Sequence, residues 1–224
     1  MIKIIITAIL LMFQLPVYAE DTIEDGRFWF AYNFDYKINE NWKATFQLQP
    51  RWREEMRAFD QIIYKPGFYY KPAPNVSIGG GYEYIVGHPA NRETSREQRF
   101  WEDIIYQFDL PSASKLSSRT RLEQRHLEGE SETAHRFREM LKLSVPIQLV
   151  NGLSLVLSDE YFIHMNDTDW GAVSGFDQNR VFLGLGFKFT EHTNIEFGYL
   201  NQHVNKQTTD LENHVLSFTL NNQF

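Results

Sequence analysis

The sequence predicts an all-β protein: an antiparallel transmembrane β-barrel of about 12 strands, with about 10 as the alternative, behind an N-terminal signal peptide. Three observations predict it. Apolar and polar residues alternate with a period of two along most of the chain. Tight turns alternate with longer polar loops. The last alternating run closes on an aromatic residue, Phe224.

Lys3 supplies a positive charge, Ile4 to Phe13 is an apolar run, and Pro16 breaks it ahead of Val17-Tyr18-Ala19. Small or aliphatic side chains at Val17 and Ala19 suit signal peptidase, so cleavage is expected between Ala19 and Glu20. Residues 1–19 are then a leader and residues 20–224 one barrel domain. A helical membrane anchor is the competing reading. It needs roughly 20 apolar residues, and this run falls short.

The chain has 224 residues, no Cys and a formal charge of -7. Lys3 leaves with the leader and no acid does, which makes the mature charge -8. A net acidic chain argues against nucleic acid as a partner. The absence of Cys removes thiol catalysis and Cys-ligated zinc, and no metal or cofactor is expected. Mean hydropathy is -0.43. That value resembles a soluble protein, but a barrel presents only alternate residues to lipid.

From Trp42 to Arg53, Trp42, Ala44, Phe46, Leu48, Pro50 and Trp52 share one face, opposite Lys43, Thr45, Gln47, Gln49, Arg51 and Arg53. No helix sorts residues this way. Before that run, Phe28, Phe30, Tyr32, Phe34 and Tyr36 alternate with Asn33, Asp35 and Lys37. Further apolar rows begin at Ile62, Val76, Phe100, Leu116, Phe137, Leu153, Val181, Ile195 and Leu216. The tight turns are 38–41, 72–75, 111–114 and 190–193. The longer loops are 54–58, 87–97, 127–134, 165–177 and 205–211. Turns on one side and loops on the other are expected of outer-membrane barrels. A soluble sandwich also alternates, but its connections do not sort by length, and its outer faces are seldom this rich in Arg.

Leu216, Phe218, Leu220 and Phe224 resemble the C-terminal signal read by the outer-membrane assembly machinery, with Asn222 departing from it. Eleven segments are readable, whereas a barrel with both termini in the periplasm needs an even number. A short strand hidden within residues 20–27 gives twelve; one misread segment gives ten.

Several short motifs resemble one known family: Arg119-Thr-Arg-Leu-Glu-Gln-Arg125, Arg136-Phe-Arg138 ahead of Pro146-Ile147, Ser158-Asp-Glu-Tyr-Phe162, Asn179-Arg180 before Gly184-Leu-Gly186, and Glu196-Phe-Gly-Tyr-Leu-Asn201. Their order resembles the domain of unknown function 2490, over nearly the whole mature chain. The resemblance implies an outer-membrane barrel among outer-membrane lipids, and no particular biochemistry.

If the apolar rows face lipid, Arg51, Arg53, Arg99, Arg119, Arg121, Arg125, Arg136, Arg138 and Arg180 face a lumen, with Glu83, Asp103, Glu123, Glu160 and Glu196. Isolated buried charges are costly, so these groups are expected to pair. One reading is a structural plug. The other is a basic constriction that passes or binds a small anionic solute. Glu102 and Glu139 fall on the lipid face by parity, which suggests the head-group rim or a β-bulge.

An outer-membrane lipid-modifying enzyme is the third reading. His126, His135 and His164 lie near loop ends, with Ser131, Ser158 and Asp167 in range, but there is no G-x-S-x-G elbow and no catalytic residue is assigned. Trp29, Trp42, Trp52, Trp101, Tyr82 and Tyr84 read as an interfacial girdle. Gly79-Gly80-Gly81 reads as a bend or a close packing point.

Overall fold

A computed structural model describes residues 22–90 and 93–224; the leader and its cleavage point at Ala19 lie outside the described residues. These residues form one closed sheet. Its strands are β1 (Ile23–Lys37), β2 (Trp42–Arg53), β3 (Ala58–Ala73), β4 (Val76–Gly87), β5 (Ser95–Asp109), β6 (Lys115–Leu127), β7 (Thr133–Pro146), β8 (Leu153–His164), β9 (Gly175–Lys188), β10 (Thr193–Val204) and β11 (Leu211–Gln223). Every sequential pair is antiparallel, and all eleven readable segments are strands.

The expected twelve strands are eleven among the described residues. β1 runs back to Ile23, so most of the acidic stretch before Phe28 extends the first strand instead of forming another. Closure needs no even number because β1 and β11 pair in parallel, from Ile23 beside Leu211 to Asp35 beside Gln223. The even-number rule assumes both termini at one end of the barrel. Here β1 starts beside the 205–210 loop and β11 finishes beside the 38–41 turn, at opposite ends.

The two faces follow from strand parity. Leu183, Leu185 and Phe187 on the outer face adjoin Tyr199, Phe197 and Ile195, which adjoin Leu216, Phe218 and Leu220, which adjoin Phe28, Phe30 and Tyr32. Large apolar side chains on this face are solvent-exposed, Phe68 at 58% and Leu183 at 50%. A contiguous exposed apolar belt is unusual for a protein surface in water. A single closed sheet also replaces the sandwich alternative, whose apolar faces would be buried against each other.

Glu139 sits in the middle of β7 on this outer face, accepting hydrogen bonds from Ser118 and Thr120, both at 2.6 Å. Neither Glu139 nor Glu102 lies at a bulge; the register is unbroken across β5, β6 and β7. Gly81 and Gly67 make room for an inward ring: a Cβ at either would come within 2.6 Å of the Trp101 side chain. The glycine run is therefore a packing point.

Candidate functional site

Odd-numbered residues of β5 and β6 point inward, and so do even-numbered residues of β7, β8 and the body of β9, so cross-strand neighbours are charged. Arg121 donates Nε and Nη2 to the two oxygens of Asp103, each at 2.6 Å, and Tyr69 Oη donates to Asp103 at 2.6 Å. Glu123 accepts from Arg136 Nη2 at 2.6 Å and from Arg138 Nη1. Glu160 accepts from Arg138 Nη2 at 2.7 Å and Arg119 Nη2 at 2.5 Å. Glu97 accepts from both Arg99 and Arg125 at 2.6 Å, and Glu83 from Arg99 at 3.0 Å. Lys142 donates to both oxygens of Glu196 at 2.7 Å. Each carboxylate thus bridges strands, and planar guanidinium forks suit that task.

The opposite wall is richer in amides. Asn33 Nδ2 donates to Asn221 at 2.8 Å, Gln47 Nε2 donates to Asn33 at 2.7 Å, and Gln202 links Gln178 to Asn213. The lumen is therefore asymmetric: ion pairs crowd β4 to β9, whereas amides dominate β10, β11, β1 and β2, among which Lys43 pairs with Asp35 at 2.6 Å and Arg51 points inward. Two cavities occupy it. One, of about 970 Å³, opens among the tight turns and is lined by Lys43, Tyr69, Trp101, Lys115 and Lys188. The other, of about 680 Å³, faces the loops and is lined by Trp29, Arg51, Arg99, Arg138 and Arg180. Asn33, Gln47, Lys65, Arg119 and Asn221 line both, so the cavities meet there.

The residues assigned to the lumen from sequence all lie inside the barrel except Arg53, which sits at the loop-end rim and donates to the carbonyl of His88. Parity also places Lys65, Lys142 and Glu97 inside, beyond the residues named above for the lumen. Two aromatic assignments need correction. Trp29 and Trp101 are 3% and 2% exposed and point inward, so they are not girdle residues. Their parity matches Asn33 and Asp103 respectively, a signal present in the sequence. Each carries a guanidinium: Arg121 lies 4.6 Å from the Trp101 ring, and Arg51 lies 3.8 Å from the Trp29 ring.

The sequence predicts a longer loop at 165–177 but not its fold between β8 and β9. That loop folds over the loop-side cavity, which Trp170, Gly171 and Ala172 help to line. Trp170 Nε1 donates to the Glu132 carbonyl at 2.9 Å, and its ring lies 5.3 Å from the Arg125 guanidinium. Asp167 accepts from the Ser174 N–H at 2.6 Å, which holds its carboxyl below the usual range.

The groups considered for lipid chemistry do not converge. His164 faces Asp177 at 3.5 Å inside the barrel, whereas Ser158 is six residues along β8, about 20 Å away at strand rise. His126 contacts Thr133 at 3.0 Å, and Asp167 binds its own loop. At the far end, Leu216, Phe218 and Leu220 take outer-face positions, and Phe224 stacks on His192 at 5.5 Å and meets Phe34 at a tilt, 5.7 Å away. Asn222, the departure from the terminal pattern, bonds Thr193 at 2.9 Å.

No solved structure matches the chain. An uncharacterized protein of Methylorubrum extorquens is 32% identical over 203 residues, covering 89% of this chain and 88% of that protein. The family described as Protein of unknown function (DUF2490) matches residues 26–213, and the chain belongs to that family.

Proposed function

We propose that this protein is an outer-membrane barrel that admits a small anionic solute into its lumen. The observation that carries this reading is the meeting of the two cavities at a basic point, where Lys65 and Arg119 are the charged residues common to both linings. A lumen built only to be filled would not leave about 970 and 680 Å³ on either side of that point. Rings of basic side chains favour anions in narrow pores. The membrane placement is supported by the exposed apolar belt and by the sorting of short turns and longer loops to opposite ends. Outer-membrane lipids and the assembly machinery that reads the C-terminal strand are the partners that go with it.

The structural-plug reading is favoured by a different observation, the ion pairs that bridge β4 to β9 with almost every carboxylate engaged. Planar bilayers separate the two. Discrete conductance steps with a reversal potential displaced toward anions are expected in a salt gradient. Silence at all voltages, with correctly folded protein in the membrane, would leave the plug.

A further inference from the structure

Almost every inward guanidinium has a carboxylate, but two do not. Arg51 and Arg180 make no ion pair within 4.0 Å among the described residues, and the Nε of each is buried without a hydrogen-bond partner. Arg51 is 9% exposed and spends only Nη2, on Gln49 at 2.9 Å. Both lie over one ring, with Arg51 and Arg180 at 3.8 and 5.1 Å from the centroid of Trp29. Arg180 also lies 4.6 Å from Phe162. All three of Trp29, Arg51 and Arg180 line the loop-side cavity.

The carboxylates that could neutralise this pair are committed elsewhere. Glu160 lies across the strand pair from Arg180, yet it takes Arg119 and Arg138. Glu83 takes Arg99 and Lys65, and Asp60 takes Arg27 and Arg53. Two like charges drawn to one indole, each with a buried free donor, are costly unless an anion completes them. Planar forks match oxyanions of phosphate geometry, which accept several N–H bonds at once.

We infer that Arg51, Arg180 and Trp29 form a seat for one phosphate-type oxyanion, free phosphate or a small phosphate monoester, on the loop side of the lumen. This deepens the proposed anionic solute and rests on the lumen being open to solutes. Neither guanidinium is neutralised by a carboxylate of the ladder, whereas the neighbouring arginines are. Gln49 orients Arg51, and the apolar Phe162 backs Arg180.

Isothermal titration of inorganic phosphate into the folded barrel, in a maltoside detergent free of phosphate, tests the seat. One site per barrel is expected. R51Q and R180Q should each weaken binding by about ten- to a hundred-fold, as loss of charged hydrogen bonds does. The double variant should abolish it, and R96Q, which removes a rim pair with Glu128, should leave it unchanged. R51K/R180K keeps both charges without the forks and should bind more weakly than the parent. Phosphate binding that is absent in the parent, or that survives in the double variant, overturns the seat. A competing source is the phosphate of a lipid head group: if vesicles of phosphatidylglycerol bind the barrel and inorganic phosphate does not, the free-solute seat is wrong. Conductance is read separately, so a barrel that binds phosphate yet passes no current refutes the pore and not the seat.

Discussion

Arg121 and Asp103 are joined by two parallel charge-assisted hydrogen bonds, with both side chains 1% exposed. Removing one partner of such a pair leaves a buried charge that water cannot reach. Asp103→Ala is expected to cost about 3–5 kcal/mol of barrel stability. Replacing both, as Arg121→Met with Asp103→Leu, should recover most of that loss, because an apolar pair of similar volume carries no desolvation cost. Urea unfolding in lipid vesicles, read with heat-modified gel mobility, measures both. A loss below about 1 kcal/mol for Asp103→Ala would mean the pair is solvated.

Glu139 gives a test of the outer face. A carboxylate facing hydrocarbon at mid-strand carries a cost even when two hydroxyls bond it. Glu139→Gln removes the charge and keeps an acceptor for one of the two hydroxyls, while its amide N–H can donate to the oxygen of the other. It should stabilise the protein in vesicles by about 1 kcal/mol and leave conductance unchanged. Destabilisation of similar size would show that this face meets a polar partner and not lipid.

The Trp101 slot tests packing. A methyl group at Gly67 would meet Trp101 Cζ2 at 2.5 Å, with the Gly80 carbonyl close behind at 3.1 Å. Gly67→Ala must push the indole into the lumen, where Arg121 and Lys65 lie over it. Overpacking of this kind costs about 1–3 kcal/mol. Shifted tryptophan emission, together with a lower urea midpoint, is the expected outcome.

Strand parity carried most of what could be read in advance. Eleven alternating rows are eleven strands, and the Arg and Glu residues placed inward by parity are inside, because a side-chain period of two leaves no freedom once one face is fixed; Arg53 is the exception, beyond the register shift at Arg51/Trp52. What failed was whatever parity does not encode. The count came to eleven and not twelve because the parallel pairing of first and last strands is a long-range event with no local signature. Trp29 and Trp101 were misplaced when residue type was allowed to outweigh their positions beside Asn33 and Asp103. The inward fold of the β8–β9 loop depends on Glu132 and Arg125, residues of another hairpin, so no local pattern announces it.

That loop sets the aperture of the loop-side cavity. Trp170→Ala removes the ring over Arg125 and one bond to Glu132, and should raise single-channel conductance while leaving the strands intact. Asp167 is the loop's titratable latch. Its folded carboxyl lies below its ordinary value through the Ser174 N–H, so the latch is complete above the ordinary pKa of about 4 and is lost as pH falls through the folded value. Asp167→Asn should loosen the loop at neutral pH, and acidification well below about pH 4 should loosen the parent toward the variant's behaviour. Current noise across a pH series, compared between the two proteins, reads this directly.

The parallel seam has a consequence for orientation. Thirteen residue pairs join β1 to β11 in parallel, and Asn33 bonds Asn221 across the seam, so the odd strand number is built into the closure. An odd number of spans puts the start of β1 and the end of β11 on opposite sides of whatever the barrel crosses. If the barrel crosses an outer membrane with its longer loops outside, Ile23 is expected to begin on the outer side and Phe224 to finish in the periplasm. An epitope placed directly before Ile23 should therefore be labelled by antibody on intact cells, together with one inserted in the 165–174 loop. An epitope after Phe224 should be labelled only once the outer membrane is permeabilised. Equal protection of both terminal tags would require a twelfth crossing segment and would return the barrel to an even count, whereas labelling of the C-terminal tag alone would invert the assignment of turns and loops.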